Sequence, residues 1–208
     1  MKIRTIIVDD HRILRDGIKA LFREMDMIEL VGEASNGHEL MSLIEECKVD
    51  LILMDINMPG MDGFEATSKV FEKCPSVKII VLSMYDDVNH YNRMINLGVH
   101  GFLLKESNYD EMETAIRSVV DDRPYFSQEL LLKLLKTKKE TPSIHITKRE
   151  KDVLELLCKG LSTAEIADKL YVSVSTIEKH RAELLSKTGS PNSTALAVYA
   201  IKNNIVNL

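Results

Sequence analysis

Asp9, Asp10 and Asp55 supply three carboxylates, Ser83 a hydroxyl and Lys105 an ammonium, and all of them close short apolar runs. The runs are Ile6-Ile7-Val8 before Asp9 and Asp10, Leu51-Ile52-Leu53-Met54 before Asp55, Ile79-Ile80-Val81-Leu82 before Ser83 and Phe102-Leu103-Leu104 before Lys105. Carboxylate oxygens suit Mg²⁺, which usually takes one or two protein carboxylates and keeps waters for a phosphate-bearing partner. An aspartate is also a nucleophile toward phosphorus and yields an aspartyl-phosphate. A serine hydroxyl can hydrogen-bond a phosphoryl oxygen, and a lysine can pair with it as a point charge. Singly, each residue has an ordinary reading: an Asp at a strand end caps a turn, and a lone Lys is solvated. In this order and spacing they read jointly as a crevice for a divalent cation and a phosphoryl group. His11 beside the acidic pair is not assigned as a metal ligand, because oxygen donors already suit the site and no second His lies near it in sequence.

What positions these groups is an alternation of apolar runs with segments of helical period. Short apolar runs bounded by turn signals predict buried parallel strands at 3–8, 28–33, 50–54, 77–82 and 101–104. Helical periodicity predicts helices at 12–25, 37–47, 63–73, 87–97 and 108–121. Five βα units imply a five-stranded parallel sheet covered on both faces. In such a sheet the carboxyl ends of the strands line one crevice, where ligands bind. Met58-Pro59-Gly60-Met61-Asp62-Gly63 is a turn-rich loop after the third strand, at that same edge.

The chain has 208 residues and a net charge of -5, but the charge is uneven. Residues 1–120 carry 13 Lys/Arg against 21 Asp/Glu, and residues 121–208 carry 14 against 11. An acidic half joined to a mildly basic half suggests two domains with different partners. Cys47, Cys74 and Cys158 lie far apart without metal-binding spacing, which reads as reduced structural thiols. No apolar stretch approaches the roughly 20 residues of a membrane span, and the apolar start is stopped by two aspartates. A cytoplasmic protein with no membrane partner is expected.

The division expected is 1–121, a linker at 122–146 holding a short helix near 127–136, and a helical domain at 147–208. Thr147-Lys148-Arg149-Glu150 and Ser162-Thr163-Ala164-Glu165 are capping boxes, Ser173 caps a third helix ending near Gly189, and a fourth begins at Ser190-Pro191-Asn192-Ser193. Four short helices make a small all-α domain in which the second and third resemble a helix-turn-helix. On a helical wheel of the third, Ile177, His180 and Leu184 fall on the core side. Ser175, Glu178, Lys179, Ala182 and Ser186 fall on the opposite face, which could enter a major groove. Lys179, Arg181 and Lys187 could reach phosphates. The wheel alone slightly favours a solvated helix in a small bundle over a groove-reading one.

Two resemblances sharpen this reading. With Asp9-Asp10, Leu-Met-Asp-Ile-Asn-Met-Pro around Asp55, Ser83 and Lys105, residues 1–121 resemble a two-component receiver domain. That resemblance implies a flavodoxin-like α/β fold and phosphorylation of Asp55 by a histidine kinase or a small phosphodonor. It also implies a Mg²⁺ site of Asp9, Asp10, Asp55 and the main-chain carbonyl of Asn57, with Phe102 as an aromatic switch. Ile146-Thr147-Lys148-Arg149-Glu150, Gly160, Glu165-Ile166-Ala167, Val172-Ser173, Thr176-Ile177, His180, Lys187 and Gly189 resemble a LuxR-type DNA-binding domain. The whole chain is therefore similar to response regulators of the NarL/FixJ family. The implied DNA-binding set is Ser162, Thr163, Ser175, Thr176, Glu178, Lys179, Arg181, Ala182, Ser186 and Lys187, acting on double-stranded DNA as a homodimer.

Several residues depart from these patterns. Met84 stands where many receivers have a small residue, and Glu106 where many have Pro. Glu178 replaces a common Lys or Arg on the groove-facing side, and Thr188 a common Leu. The function expected is a phosphorylation-controlled, sequence-specific transcription regulator, not an enzyme. A metal-dependent phosphohydrolase using an aspartyl-phosphate is the competing class, but its usual second aspartate two positions on is Asn57 here. A protein-interaction module whose helical domain binds no DNA is a third.

Overall fold

Each apolar run forms a strand buried on both sides, so its residues alternate between two cores. The computed structural model describes residues 2–84, 88–126, 144, 146–203 and 205–206 of the chain. In it β1 (Ile3–Val8), β2 (Ile28–Ala34), β3 (Leu51–Asp55), β4 (Lys78–Ser83) and β5 (Gly101–Leu104) are parallel and run in the order β2-β1-β3-β4-β5. Ile6, Val8, Ile52, Met54, Ile79, Val81 and Phe102 face one core; Ile7, Leu51, Leu53, Ile80, Leu82 and Leu103 face the other. This period-two split explains why the runs are continuously apolar instead of alternating with polar residues.

Helices α1 (Arg12–Phe22), α2 (Gly37–Glu46), α3 (Gly63–Lys73), α4 (Val88–Leu97) and α5 (Tyr109–Val120) cover the sheet. Ile18 and Phe22 of α1 and Met112, Ile116 and Val119 of α5 close one core. Leu40 of α2, Phe64 and Val70 of α3 and Tyr91, Met94 and Ile95 of α4 close the other. α1 stops at Phe22, short of the expected residue 25, because Glu24 and Met25 hydrogen-bond in turn geometry to Leu21 and Phe22 and swing Met25 inward.

The sheet has six strands, which corrects the five expected. β6 (Tyr125–Phe126) pairs parallel with β5, Gly101 opposite Tyr125 and Phe102 opposite Phe126. Asp122 makes this return possible: it takes a left-handed conformation, φ 58°, one that Asp adopts more readily than most residues. A two-residue strand carries no periodicity, so it was hidden in the stretch read as linker. Most of that linker, with the short helix expected near 127–136, lies outside the described residues.

Helices α6 (Lys148–Cys158), α7 (Thr163–Leu170), α8 (Val174–Thr188) and α9 (Ser193–Lys202) follow. Val153, Leu154, Leu157, Ile166, Ile177, Leu184, Leu196 and Ala200 form their common core. Both capping boxes are present, and Ser173 and Asn192 cap α8 and α9 through their side chains. α9 is buried nearly all round, the mark of a helix held between two bodies. Leu196 and Ala200 face its own core, whereas Ala195 and Val198 join the receiver-side core of Tyr91, Met94 and Ile95. Around this seam Asn192 Nδ2 donates to the carbonyls of Gly98 and Val99, Thr194 Oγ1 to that of His100, and Lys202 Nζ to Asn92 Oδ1.

Glu150 ties the helical bundle together. Its carboxylate closes the Thr147 capping box, and both its oxygens accept from Lys187 Nζ, at 2.6 and 2.8 Å. Burial pushes its pKa up, but Lys187 and the Thr147 amide and hydroxyl outweigh burial and hold it at about 2. A depressed carboxylate contributes stability above its ordinary pKa of 4.5 and loses it as the pH falls toward 2. Glu150→Gln is expected to lower stability at pH 7, with the gap to the parent protein closing between those two values; urea unfolding at stepped pH measures it.

Candidate functional site

The strand registers bring the polar strand ends to one place. Val8 is opposite Met54, Asp55 opposite Leu82 and Ser83 opposite Leu104, so each strand end steps about one residue past its neighbour across the sheet. Asp9 and Asp55 thereby stand side by side, Ser83 stands next, and Lys105 reaches back across β4. Lys105 Nζ lies 2.7 Å from Asp9 Oδ2 and 2.7 Å from Asp55 Oδ2. Asp9, Asp55 and Ser83 are buried, and the Lys105 side chain is 9% exposed.

Two buried carboxylates share one ammonium, and Asp10 adds a third, partly exposed carboxylate. Burial pushes the Asp55 carboxyl above the ordinary range; Lys105 pulls it down and Asp9 pushes it up again, and burial prevails. Burial disfavours the Lys105 ammonium, but its hydrogen bonds to Asp55 and Asp9 hold its pKa above the usual lysine value. The cluster thus keeps a surplus of buried negative charge that a further cation would relieve. Asp9, Asp10, His11 and Asp55 each present a ligand atom, all within 4.8 Å of one another. His11, set aside on sequence grounds, belongs to this group: its Nδ1 is 2.8 Å from Asp10 Oδ1 and 3.1 Å from Asp9 Oδ1. The oxygen-rich donor set fits a hard divalent cation. Asn57 closes the cleft on the β3 side, where its amide donates to Asp55 Oδ1 at 3.3 Å.

Ser83 is engaged away from the carboxylates. Its Oγ donates to the Met84 carbonyl at 2.8 Å and lies 2.9 Å from the Tyr91 hydroxyl. Phe102 is buried with its ring edge-on to Tyr91 and stacked on Phe126. Tyr91 escaped the sequence reading because in a helical pattern it looks like any core aromatic. Met84 is 66% exposed at the rim of a cleft of about 310 Å³, so its bulk stands beside the opening and does not fill it.

Gly63 sets the loop that carries Asp55. A Cβ there would meet the Asp55 carbonyl oxygen at 2.2 Å and Ile56 Cα at 2.9 Å, so only glycine lets α3 start this close to the end of β3. Asp62 caps that helix by accepting from Glu65 N at 2.8 Å.

At the second candidate surface, Ser175, Glu178, Lys179, Ala182 and Ser186 lie exposed along α8, while Ile177 and Leu184 are fully buried. Ser162 and Thr176 are engaged in the caps of α7 and α8. Lys187 is held by Glu150, and Arg181 does not point to open solvent. The Arg181 guanidinium donates to Thr163 Oγ1, Ser193 Oγ and the carbonyl of Asp122 on the receiver side. Glu178 and Arg181 line one cleft of about 470 Å³ between the two halves.

Comparison with known proteins decides the family. A family model described as the response regulator receiver domain matches residues 5–117, and one described as bacterial regulatory proteins of the luxR family matches residues 145–200. The chain belongs to the response regulators. The response regulator protein VraR of Staphylococcus saprophyticus is 33% identical over 208 residues, covering 99% of this chain and all of that protein. VraR of Staphylococcus epidermidis is 31% identical with the same coverage. Among solved structures, the response regulator ChrA of a heme-sensing two-component system is 27% identical, with 98% of both chains covered and a TM-score of 0.54. RcsB, solved as two dimers bound to two parallel DNAs, is 25% identical, with 97% of this chain and 99% of that chain covered and a TM-score of 0.63.

This response regulator is of the NarL/FixJ type: a receiver joined to a LuxR-type helix-turn-helix domain. It is a phosphorylation-controlled, DNA-binding transcription regulator and not an enzyme. Among the described residues no helix is long and apolar enough to cross a membrane. Gly63→Ala is expected to destabilise the chain by about 1–3 kcal/mol through overpacking and to weaken Mg²⁺ binding at the acidic cluster. Thermal unfolding with and without Mg²⁺ checks both, the parent protein gaining more from the ion than the variant.

Proposed function

We propose that Asp55 is the phosphoacceptor of this response regulator, with a histidine kinase as donor. The observation that carries this reading is the Lys105 ammonium held between Asp9 and Asp55 beside Ser83 at the mouth of the cleft. An Asp55 carboxylate oxygen forms the bond to phosphorus as the donor's phosphorus–nitrogen bond breaks, and that electron pair leaves with the imidazole. Lys105 keeps its charge and transfers its pairing from the carboxylate to a phosphoryl oxygen, and Ser83 donates to another. Asp9, Asp10, Asp55 and the Asn57 carbonyl would hold Mg²⁺, which supplies neutralisation of the phosphoryl charge when bound. His11 would steady Asp10 in that set.

The switch runs from this site to α9. The acyl phosphate adds about two negative charges beside Ser83 and Lys105, which favours a new setting of the Ser83 loop and of Phe102. α4 then loosens its hold on α9, and the helical domain is freed to form a homodimer on double-stranded DNA. Opening also liberates Arg181, now engaged with the Asp122 carbonyl, to join Lys179 on DNA phosphates. Ser162, Thr163, Ser175, Thr176, Glu178, Ala182, Ser186 and Lys187 complete the proposed contact surface. Glu178 there favours acceptance of a hydrogen bond from cytosine N4. Action in the cytoplasm, where kinase and chromosome are both reached, fits this role. The proposed boundaries are a receiver at 1–121, a linker at 122–146 and a DNA-binding domain at 147–208.

Asp55→Ala is expected to take no acid-labile phosphoryl label from acetyl phosphate or a phosphorylated kinase; label persisting on that variant overturns the assignment. For the DNA face, Lys179→Ala is expected to reduce the slope of log affinity against log salt by about one per bound protomer. Anisotropy titrations between 50 and 200 mM salt, about the range in which counterion release is resolved, measure that slope, and an unchanged slope removes Lys179 from the interface.

A further inference from the structure

Three helices of the C-terminal domain are stopped by a residue in the left-handed region. Gly160 follows α6 at φ 79° and Gly189 follows α8 at φ 63°, but the residue that stops α7 is Tyr171, at φ 56°. Glycine enters this region freely, whereas any other residue crowds its Cβ against the following carbonyl. Tyrosine lacks the short polar side chain with which Asn or Asp offsets that crowding. Nor does packing offset it, because Tyr171 is 96% exposed and its ring is buried against nothing in the folded chain. A crowded backbone carrying a side chain that the fold does not use points to a use outside the folded chain.

The turn that presents this ring is firmly held. Tyr171 N donates to the Asp168 carbonyl at 3.2 Å and Val172 N to that of Ala167 at 3.0 Å. The Arg149 guanidinium of α6 donates to the Leu170 carbonyl at 2.8 Å, and Val172 packs against the helical core. The ring therefore projects from a fixed base, and binding costs it little ordering. Two residues further on, Ser173 caps α8, whose first residue, Val174, is 46% exposed and whose second, Ser175, is exposed. The first residues of a recognition helix are those that reach base edges, with the DNA backbone alongside. Tyr171 thus stands at the end of α8 that enters a groove. Unlike Arg181, which is held against the Asp122 carbonyl, it is left open by the docked receiver.

We propose that Tyr171 is a DNA contact: its hydroxyl donates to a phosphate oxygen beside the groove that α8 enters, and its ring lies along the adjoining sugar. The occupant is duplex DNA because the ring's neighbours along the chain are the hydroxyls of Ser173 and Ser175 and the amino end of α8, all of which favour phosphate. A phenol hydroxyl is neutral and the phosphate carries no sequence, so this contact adds affinity without adding charge or base preference. The inference deepens the reading of α8 as the groove-entering helix and rests on it for the placement of the DNA.

The test compares Tyr171→Phe and Tyr171→Gly with the parent protein, each as the full chain with beryllofluoride and Mg²⁺. Affinity is measured by anisotropy for a fluorescent duplex selected from random sequence by the phosphorylated protein, and for an unrelated duplex. Phe keeps the ring and the backbone and deletes only the hydroxyl. Tyr171→Phe is expected to weaken binding roughly 2- to 10-fold per protomer, the worth of one hydrogen bond. The loss is the same on both duplexes, as for any phosphate contact. The slope of log affinity against log salt stays at the parent value, because a neutral hydroxyl releases no counterion. Tyr171→Gly is expected to lose at least as much affinity while its melting temperature rises by up to about 2–4 °C, since glycine suits the left-handed turn. Parent affinity in Tyr171→Phe, or a loss confined to the selected duplex, overturns the proposal. A lower melting temperature in Tyr171→Gly also overturns it, because the side chain would then serve the fold. Failure of the α8 reading shows separately as an unchanged salt slope in Lys179→Ala.

Discussion

The ammonium of Lys105 between the Asp9 and Asp55 carboxylates is the interaction on which this molecule's design depends. Two carboxylates buried at adjacent strand ends are tenable only with a counter-charge at hydrogen-bond distance. That counter-charge comes from a strand two places away, so the pairing exists only if β1, β3, β4 and β5 adopt this order and register. Folding of the sheet and assembly of the site are thus one event. The pairing is also incomplete, since one ammonium faces three carboxylates. A site left short of positive charge is suited to admit a divalent cation, and then a phosphoryl group whose own charge re-partners the lysine.

The link from site to output uses modest forces. Ala195 and Val198 bury against α4 only small side chains, an apolar contribution of about 2–3 kcal/mol. Hydrogen bonds across the seam run to the backbone carbonyls of Gly98, Val99, His100 and Asp122 and to the Asn92 side chain, each net worth about 1 kcal/mol. A seam of this size can be opened by the rearrangement of a few hydrogen bonds, whereas a large apolar interface would be permanent. Engagement of Arg181 with Asp122 means that docking also occupies a cation suited to DNA phosphate.

Much of this was legible in the chain. The apolar runs name the central strands because burial on both faces forces continuity, and the polar residues ending them name the crevice. The capping boxes at Thr147 and Ser162 fix the starts of α6 and α7, since their hydrogen bonds are local. What escaped depends on contacts distant in sequence. β6 is too short for any period and relies on Asp122 turning the chain back to β5. Arg181 lies beside the solvent face of the wheel, yet it meets the receiver, which no periodicity within α8 encodes. Tyr91 looked like an ordinary core aromatic until the fold placed its hydroxyl on Ser83.

The central claim is that charge at Asp55 loosens α9 from α4. Amide hydrogen exchange across residues 94–100 and 193–201 reads that seam directly, with beryllofluoride and Mg²⁺ standing in for the phosphoryl group. Loss of protection there in the parent protein, and none in Asp55→Ala, is the expected result. Protection unchanged in the parent protein while its DNA affinity rises would contradict the claim.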